Sequence, residues 1–248
     1  MKYILCAAVI SVLFSNSVSA TGTGFYTSLK AGVSDTKMKS NEVHYYSKGN
    51  PNPENNGSED YHQDNESKSI YPNISVAIGF DFSQISDVNV RTELEYTYKD
   101  DSTFNPVTNY EIWTDQYGTN SYPNRNARLF SNELRSQALM LNGYYDFKNT
   151  SKFTPYVGAG VGVTHIKNNY TNQEYPDYAF SKTDNHFTWS ASLGIAYNIT
   201  NNVALDASYR YVDAGKFAFD QDFGKYANEE TSFKLSSQDY SLGIRYNF

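Results

Sequence analysis

The sequence predicts an all-β fold, an eight-stranded antiparallel transmembrane β-barrel with four long extracellular loops and three short periplasmic turns. Three observations lead to this prediction. Eight segments alternate apolar and polar residues with a period of two, the connections between them alternate in length, and the polar face carries charges within the strands. The composition agrees, because 16% aromatic residues and 23 tyrosines favour strands over helices.

The first element is residues 1–20, which have one lysine, an apolar stretch and a Val-Ser-Ala ending. This pattern predicts a secretory signal peptide cleaved after Ala20, followed by a single barrel domain over residues 21–248. Cys6 lies within the signal, so the remaining chain has no cysteine and forms no disulfide. The secreted domain must then be stabilised by its own hydrogen bonds and burial.

The eight strand segments follow in order along the chain. They span approximately residues 23–34, 69–82, 88–100, 133–148, 153–167, 186–200, 203–214 and 237–248. In the sixth segment every odd residue from Phe187 to Ile199 is apolar or aromatic, and every even residue is small or polar. Since successive strand side chains point to opposite faces, each segment has one apolar and one polar face.

The connections are short after segments two, four and six and roughly 20 to 35 residues long after the others. A soluble sandwich has no reason to alternate loop lengths in this way. A membrane barrel with an even strand number has both termini in the periplasm, short turns there and long loops outside. With a mean hydropathy of -0.62 and no later apolar run near 20 residues, membrane-spanning helices are excluded.

The polar face predicts a network of charges in the barrel lumen. Its members are Lys30, Arg91, Glu93, Glu95, Arg135, Asp206, Arg210 and Arg245. An eight-stranded barrel has an interior just wide enough for side chains, which favours a filled lumen of ion pairs. The alternative is a selectivity ring of a narrow channel. Gly158, Gly160 and Gly162 share the lumen parity, and we expect them to make room for large side chains such as the arginines.

The carboxyl-terminal strand carries a motif of alternating apolar residues that ends on phenylalanine. The motif is Tyr240, Leu242, Ile244, Tyr246 and Phe248. Together with PYVGAGVGVTHI at 155–166 and NITNNVALDASYRYVD at 198–213, it resembles the opacity-type family of small outer-membrane barrels, relatives of the neisserial opacity proteins and of the NspA, OmpA and OmpX barrels. The resemblance implies a place in the bacterial outer membrane, contact with its lipid and lipopolysaccharide, and a terminal signal read by the barrel-assembly machinery.

The resemblance also implies adhesion to a host receptor or matrix protein through the long loops. Aromatic residues in those loops are candidates for this recognition: Tyr45, Tyr46, Tyr61, Tyr110, Trp113, Tyr117, Tyr122, Tyr170, Tyr175 and Tyr178. The same tyrosines are also suited to extending the strands beyond the bilayer. Lysines of the first loop, such as Lys37 and Lys39, are interspersed with acidic residues, so the sequence predicts no dense basic patch for a heparin-like ligand.

Charge and motifs limit the other function classes. Without the signal peptide, 19 basic residues face 27 acidic ones, a net charge of -8, which argues against nucleic-acid binding. No cofactor motif is present, and the four histidines lack zinc-ligand spacing. A barrel enzyme acting on lipid A stays an alternative, with His186 and Thr188 as its nearest match to a His-x-Ser pair. The sequence favours a protein that is not an enzyme.

Overall fold

The computed structural model describes residues 23–47, 57–63, 66–106, 108–115, 117–127, 130–173, 179–222 and 227–248. These residues form antiparallel strands and a short 3-10 helix at Phe82–Gln84. The strands are β1 (Phe25–Ser47), β2 (Gly57–Gln63), β3 (Ser67–Asp81), β4 (Val90–Phe104), β5 (Thr108–Asp115), β6 (Gly118–Ala127), β7 (Phe130–Asp146), β8 (Phe153–Asn172), β9 (Phe180–Asn198), β10 (Val203–Asp222) and β11 (Ala227–Asn247). The predicted signal peptide lies outside the described residues.

Eight of these strands close into a barrel, in the order β1, β3, β4, β7, β8, β9, β10 and β11. The barrel closes because β11 pairs with β1 from Tyr26↔Asn247 onward, and the Phe248 N–H donates to the Phe25 carbonyl at 3.0 Å. Closure matters because lipid cannot satisfy the polar groups of a free sheet edge. The predicted eight-stranded antiparallel barrel is therefore confirmed.

The barrel carries its apolar residues on the outside. Leu242 and Ile70 are each 71% exposed, and Ile78 is 64% exposed. Glu95 and Ser34, both polar, are wholly buried in the interior. A soluble protein has the opposite distribution, so the exposed apolar face matches a lipid environment. Among the described residues, no helix has the length and apolar character needed to span a membrane.

The strands run far beyond the predicted segments on the side of the long connections. β1 continues to Ser47, and β2, β5 and β6 lie entirely in regions expected to be loops. They form an extracellular sheet in the order β10, β11, β1, β2, β5 and β6. The long connections expected on this side are therefore partly formed by strands that the sequence did not predict. Both faces of this sheet are rich in polar residues, so no apolar alternation marks its strands in the sequence.

The outer half of β10 separates from β9 at a β-bulge. Pairing of β9 with β10 ends at Asp213↔Trp189, and the register with β11 shifts between Asp213 and Gly215. Gly215 has a positive φ of 81°, a conformation that favours glycine. The Asp213 carboxylate accepts a 2.8 Å hydrogen bond from the Gly215 N–H. A bulge bends its strand, which turns the outer part of β10 away from β9.

An apolar core fills the outer end of the barrel, where the strands project beyond the predicted spans. It gathers side chains from seven strands: Met38, Tyr71, Phe104, Leu134, Ile166, Ala214, Phe217, Phe219, Phe233 and Leu235. Phe104, Phe217 and Phe233 have no exposed surface. This core was not predicted, because most of its large side chains, such as Phe104, Phe217 and Phe233, come from strand extensions that lie outside the predicted segments. The core closes the extracellular end of the polar lumen.

Candidate functional site

The centre of the lumen is an ion cluster built on Glu95 of β4. The Glu95 carboxylate accepts hydrogen bonds from Lys30 Nζ at 2.7 Å and from Arg210 Nη2 at 3.0 Å, and it also contacts Arg210 Nη1. Lys30 Nζ also donates at 2.8 Å to Glu93, which lies two residues before Glu95 on the same face of β4. These residues come from β1, β4 and β10, so the cluster connects strands across the barrel. Buried charges are stable only when paired in this way.

A second ion pair lies toward the periplasmic end. Arg91 donates to Asp146 twice, from Nε at 2.7 Å and from Nη2 at 3.0 Å. Its guanidinium lies 4.8 Å from the centre of the Tyr144 ring and 5.1 Å from that of Tyr156. Arginine is well suited to this position, because its planar group binds a carboxylate in two places while it packs against aromatic rings.

A third ion pair lies on the extracellular side of the central cluster. Lys99 Nζ donates to Asp239 at 2.8 Å and to Ser237 Oγ at 2.7 Å. A cavity of about 30 Å³ lies beside this pair, lined partly by Thr164 and Arg210. That volume holds only a few water molecules. The apolar core begins directly above, at Ala214 and neighbouring residues.

Arg245 and Asp206 occupy the lumen at the periplasmic side. The Asp206 carboxylate accepts a 2.6 Å hydrogen bond from the Tyr156 hydroxyl. Arg245 is buried and lies 5.7 Å from the Tyr26 ring centre. Among the described residues, its Nε and Nη1 have no hydrogen-bond partner, and a small cavity of about 10 Å³ adjoins it. This space is just large enough for one bridging water.

One residue predicted to lie in the lumen, Arg135, lies on the outer face of the barrel. Arg135 points outward, where its Nε donates to Asp101 at 2.7 Å, and the two side chains are 40% and 33% exposed. The reason is parity: the inward residues of β7 are even-numbered, as Asn142 and Tyr144 are, and Arg135 is odd. Placing Arg135 in the lumen was therefore wrong.

The structure adds lumen partners that the predicted charge network did not include. They are Tyr26, Lys99, Asp146, Tyr144, Tyr156 and Asp239. Each has the inward parity of its strand, so the alternation that identified Glu95 could have identified them too. What parity could not give was the pairing, since Lys99 and Asp239 are 140 residues apart in sequence.

The lumen glycines make room for large residues, though not for the arginines. A Cβ on Gly158 would lie 2.4 Å from the Tyr144 ring, and one on Gly194 would lie 2.4 Å from the Tyr156 ring. Tyr144 and Tyr156 thus each occupy the space over a glycine of the next strand. Of the three predicted glycines, Gly158 faces the Tyr144 ring, whereas a Cβ on Gly160 would meet Asn142 and one on Gly162 would meet Met140, so the expected arginine contacts were wrong.

The candidate enzyme pair does not form a nucleophile and base. His186 Nε2 lies 2.9 Å from Asp184, and its ring packs on Phe217 with centres 4.1 Å apart. The Thr188 hydroxyl instead pairs with the Thr164 hydroxyl at 2.6 Å. A nucleophile would need its hydroxyl within hydrogen-bond reach of the imidazole. Among the residues that the structure describes, no group of His, Cys, Asp or Glu could hold a metal ion.

The predicted recognition residues fall into four groups, of which three are small. Tyr117 is 78% exposed. Tyr170 was expected in a loop but lies in β8, 1% exposed and stacked on Phe180 with ring centres 4.7 Å apart, so its candidacy was wrong. Its even number gives it the inward parity of β8. Tyr175 and Tyr178 lie outside the described residues.

The remaining candidates are paired strand positions of the extracellular sheet. The register aligns Tyr45 with Glu59, Glu59 with Trp113, Tyr61 with Glu111, and Glu111 with Tyr122. Residues directly opposite one another lie on the same face of a sheet. One face therefore combines aromatic and acidic positions: Tyr45, Tyr61, Trp113 and Tyr122 with Glu59, Glu111 and Glu229. Tyr46 and Tyr110 occupy the other face.

The carboxyl-terminal motif forms the closing strand. Tyr240, Leu242 and Ile244 are 48%, 71% and 55% exposed on the outer face. Tyr246 and Phe248 pack edge to face, with ring centres 5.2 Å apart. The motif thus forms an exposed apolar face of β11 that runs to the periplasmic end of the barrel.

Known proteins resemble this chain over most of its length. The family model of the outer membrane protein beta-barrel domain matches residues 4–248. Outer membrane protein PagN of Salmonella typhimurium is 35% identical over 183 residues, 70% of this chain and 71% of PagN. Opacity protein opA68 of Neisseria gonorrhoeae is 25% identical over 228 residues, 76% of this chain and 83% of that protein. The crystal structure of neisserial surface protein A is 20% identical, with a TM-score of 0.47, and covers 91% of this chain and 98% of its own.

Proposed function

Because this chain belongs to the outer membrane protein beta-barrel domain family, we propose that it is a surface adhesin of the bacterial outer membrane that binds a host receptor or matrix protein. Its binding element is the extracellular sheet. The barrel itself anchors and orients that sheet. The relation to the opacity proteins supports this assignment, and the geometry of the sheet carries it.

The observation that carries the proposal is the face shared by the positions of Tyr45, Tyr61, Trp113 and Tyr122. Tyrosine and tryptophan are enriched where proteins bind one another, because they offer large contact areas with little loss of conformational freedom. Strands hold such positions at fixed spacing, whereas a loop must pay an ordering cost on binding. The acidic positions between them favour a partner that presents lysine or arginine.

We further propose that the lumen is filled and does not conduct ions. Support comes from the three ion-pair layers around Arg91, Glu95 and Lys99 and from the apolar core above them. Ions crossing this barrel would have to separate buried ion pairs and then pass closely packed phenylalanines. An interior of eight strands leaves no further space for a channel.

The terminal motif has a separate role in this proposal. Phe248 and the alternating residues before it act as the signal that the barrel-assembly machinery reads. The exposed apolar face of β11 supports this role, since its alternating apolar residues are accessible on the outside of the barrel.

The adhesin proposal is tested by producing the protein in a non-adherent bacterial host with an outer membrane. Binding of these cells to epithelial cells and to immobilised fibronectin, laminin and collagen is then measured. The variant Tyr61→Ala with Trp113→Ala removes two aromatic positions from the proposed binding face. Tyr46→Ala with Tyr110→Ala removes two from the opposite face and serves as the matched control.

We expect the unaltered protein to confer binding to at least one of these surfaces. The first double variant should reduce bound cells about tenfold or more, since loss of a central aromatic contact costs about 2 kcal/mol or more. The control should stay within twofold of the unaltered protein. Absence of binding by the unaltered protein, with normal surface display, would overturn the proposal.

A further inference from the structure

The two edges of the extracellular sheet differ in how readily a further strand can pair with them. In the described part of the chain, β6 forms one edge and the outer half of β10 forms the other. β6 contains Pro123. Proline has no N–H to donate, so an edge strand that contains it resists pairing. The outer half of β10, from Lys216 to Asp222, contains no proline and is the better candidate for strand addition.

Alternate residues of this β10 edge direct their backbone groups away from β11. The Asn247 N–H donates to the Asn202 carbonyl, which makes the odd-numbered residues of β11 its hydrogen-bonded positions toward β10. After the bulge these positions are aligned with odd residues of β10, as in Phe217↔Phe233. The residues between hydrogen-bonded pairs point their N–H and C=O groups to the opposite side of the strand. On β10 these residues are Lys216, Ala218 and Asp220.

The neighbouring strand β9 does not pair with these groups. Its pairing with β10 ends at Asp213↔Trp189, and residues 216, 218 and 220 are exposed. The edge of β9 is itself partly satisfied, because the Asp184 carboxylate accepts a 2.8 Å hydrogen bond from the Asn185 N–H. The groups on β10 therefore have the direction and the exposure needed to pair with a strand of another molecule.

The side chains of the β10 edge define what an added strand must carry. Phe217 and Phe219 point inward and belong to the apolar core. Lys216 and Asp220 point outward on either side of Ala218. Residues opposite one another in a sheet share a face, so the added strand needs apolar residues opposite the two phenylalanines. It needs an acidic residue opposite Lys216 and a basic residue opposite Asp220.

We propose that this edge of β10 binds an extended segment of the partner protein as an added antiparallel β-strand. The inference rests on the proposed adhesin function and specifies the form in which the partner is bound. Five residues of strand span about 17 Å, so residues 216–220 pair with five partner residues. Antiparallel pairing is favoured because it is the more stable arrangement per residue. Main-chain hydrogen bonds provide affinity in this mode of recognition, and the alternating side chains provide specificity.

The test uses the fluorescently labelled peptide Ser-Lys-Val-Thr-Val-Glu-Ser, which has the required pattern in antiparallel order. Its binding to the refolded protein in detergent micelles is measured by fluorescence anisotropy. In this register the N–H groups of its lysine, threonine and glutamate face β10, and those of its valines face away. N-methylation of the threonine and the glutamate removes two donors from the interface, whereas N-methylation of both valines is the matched control.

Two substitutions at one position test the protein side of the interface. Ala218→Pro removes an N–H that points away from β11, so the ladder between β10 and β11 stays intact. Ala218→Val keeps the N–H and adds a good strand-forming side chain. Heat-modifiable mobility on a gel verifies that both variants are folded.

We expect the peptide to bind the unaltered protein and Ala218→Val with similar affinity. Ala218→Pro should weaken binding about tenfold or more, the loss expected for a hydrogen bond left unmade. Methylation at the threonine and the glutamate should abolish binding, and methylation at the valines should preserve it. The proposal is wrong if the unaltered protein does not bind the peptide, if both methylated peptides bind equally, or if Ala218→Pro binds as well as Ala218→Val.

Adherence of cells that display each variant separates this inference from the adhesin proposal. On the surface to which the unaltered protein adheres, Ala218→Pro should reduce the number of bound cells about tenfold, and Ala218→Val should not. Unchanged adherence of Ala218→Pro would rule out strand addition and leave the adhesin proposal standing. Absence of adherence by the unaltered protein, with the peptide bound, would rule out the adhesin proposal but support strand pairing at β10.

Discussion

Glu95→Gln provides a sharp test of the lumen architecture. Glu95 is fully buried, and its carboxylate receives hydrogen bonds from Lys30 and Arg210. Glutamine has nearly the same shape, so the substitution leaves packing intact and removes only the negative charge. Lys30 then keeps its ion pair with Glu93 at 2.8 Å, whereas Arg210 loses its carboxylate partner.

The expected cost is about 3 kcal/mol or more of unfolding free energy, because removing one partner of a buried ion pair leaves an uncompensated charge. Asp101→Asn is the matched control. It also removes a carboxylate from an arginine, but the Arg135–Asp101 pair is more than a third exposed on the arginine side. Exposed pairs contribute about 0.2–1 kcal/mol. The structure therefore predicts a difference of about 2 kcal/mol or more between the two variants.

The assay is reversible unfolding in guanidinium chloride with the protein in lipid vesicles, followed by tryptophan fluorescence and gel mobility. A third variant, Arg210→Met, should cost less in the Glu95→Gln background than in the unaltered protein, because it then removes an unpaired cation. Equal unfolding free energies for Glu95→Gln and Asp101→Asn would refute the reasoning. So would independent, additive effects of Glu95→Gln and Arg210→Met.

Three further predictions concern packing, the apolar core and assembly. Gly158→Ala should lower the unfolding midpoint, since its Cβ would collide with the Tyr144 ring, whereas Gly143→Ala on the neighbouring strand has open space and should be neutral in the same titration. Phe217→Ala should cost about 3–5 kcal/mol, as expected for a large buried aromatic, while Phe187→Ala, 67% exposed on the outer face, should cost much less; similar costs would contradict a closed apolar core. Phe248→Ala should slow insertion into proteoliposomes that contain the assembly machinery but leave the equilibrium unfolding midpoint nearly unchanged. Phe147→Ala, another exposed periplasmic aromatic, should not slow it.

The barrel could be predicted from the sequence because its wall separates lipid from a polar lumen. That contrast forces a strict alternation, which is why the odd residues from Phe187 to Ile199 identify β9 and its outward face. Seven of the eight charges that this rule predicted for the lumen do lie there, and Lys99, Asp146 and Asp239 add to them. The rule was misapplied at Arg135, whose parity on β7 already placed it on the outer face.

The extracellular sheet could not be predicted in the same way. Polar residues lie on both faces of β2 and β5, so no apolar period distinguishes strand from loop there. The apolar core could not be predicted for a related reason. Phe104, Phe217 and Phe233 are separate in sequence and meet only because their strands extend beyond the predicted segments.

The most direct test of the central claim, an inside-out barrel in the membrane, is a nitroxide scan along β9. The predicted mature chain has no cysteine, so single cysteines can be introduced and spin-labelled one at a time over residues 188–197. Accessibility to molecular oxygen is then measured in lipid vesicles. The account predicts a period of two, with maxima at odd positions such as Leu193 and Ile195 and minima at Ser190 and Ala196. Maxima at the even positions, or no period of two, would contradict it.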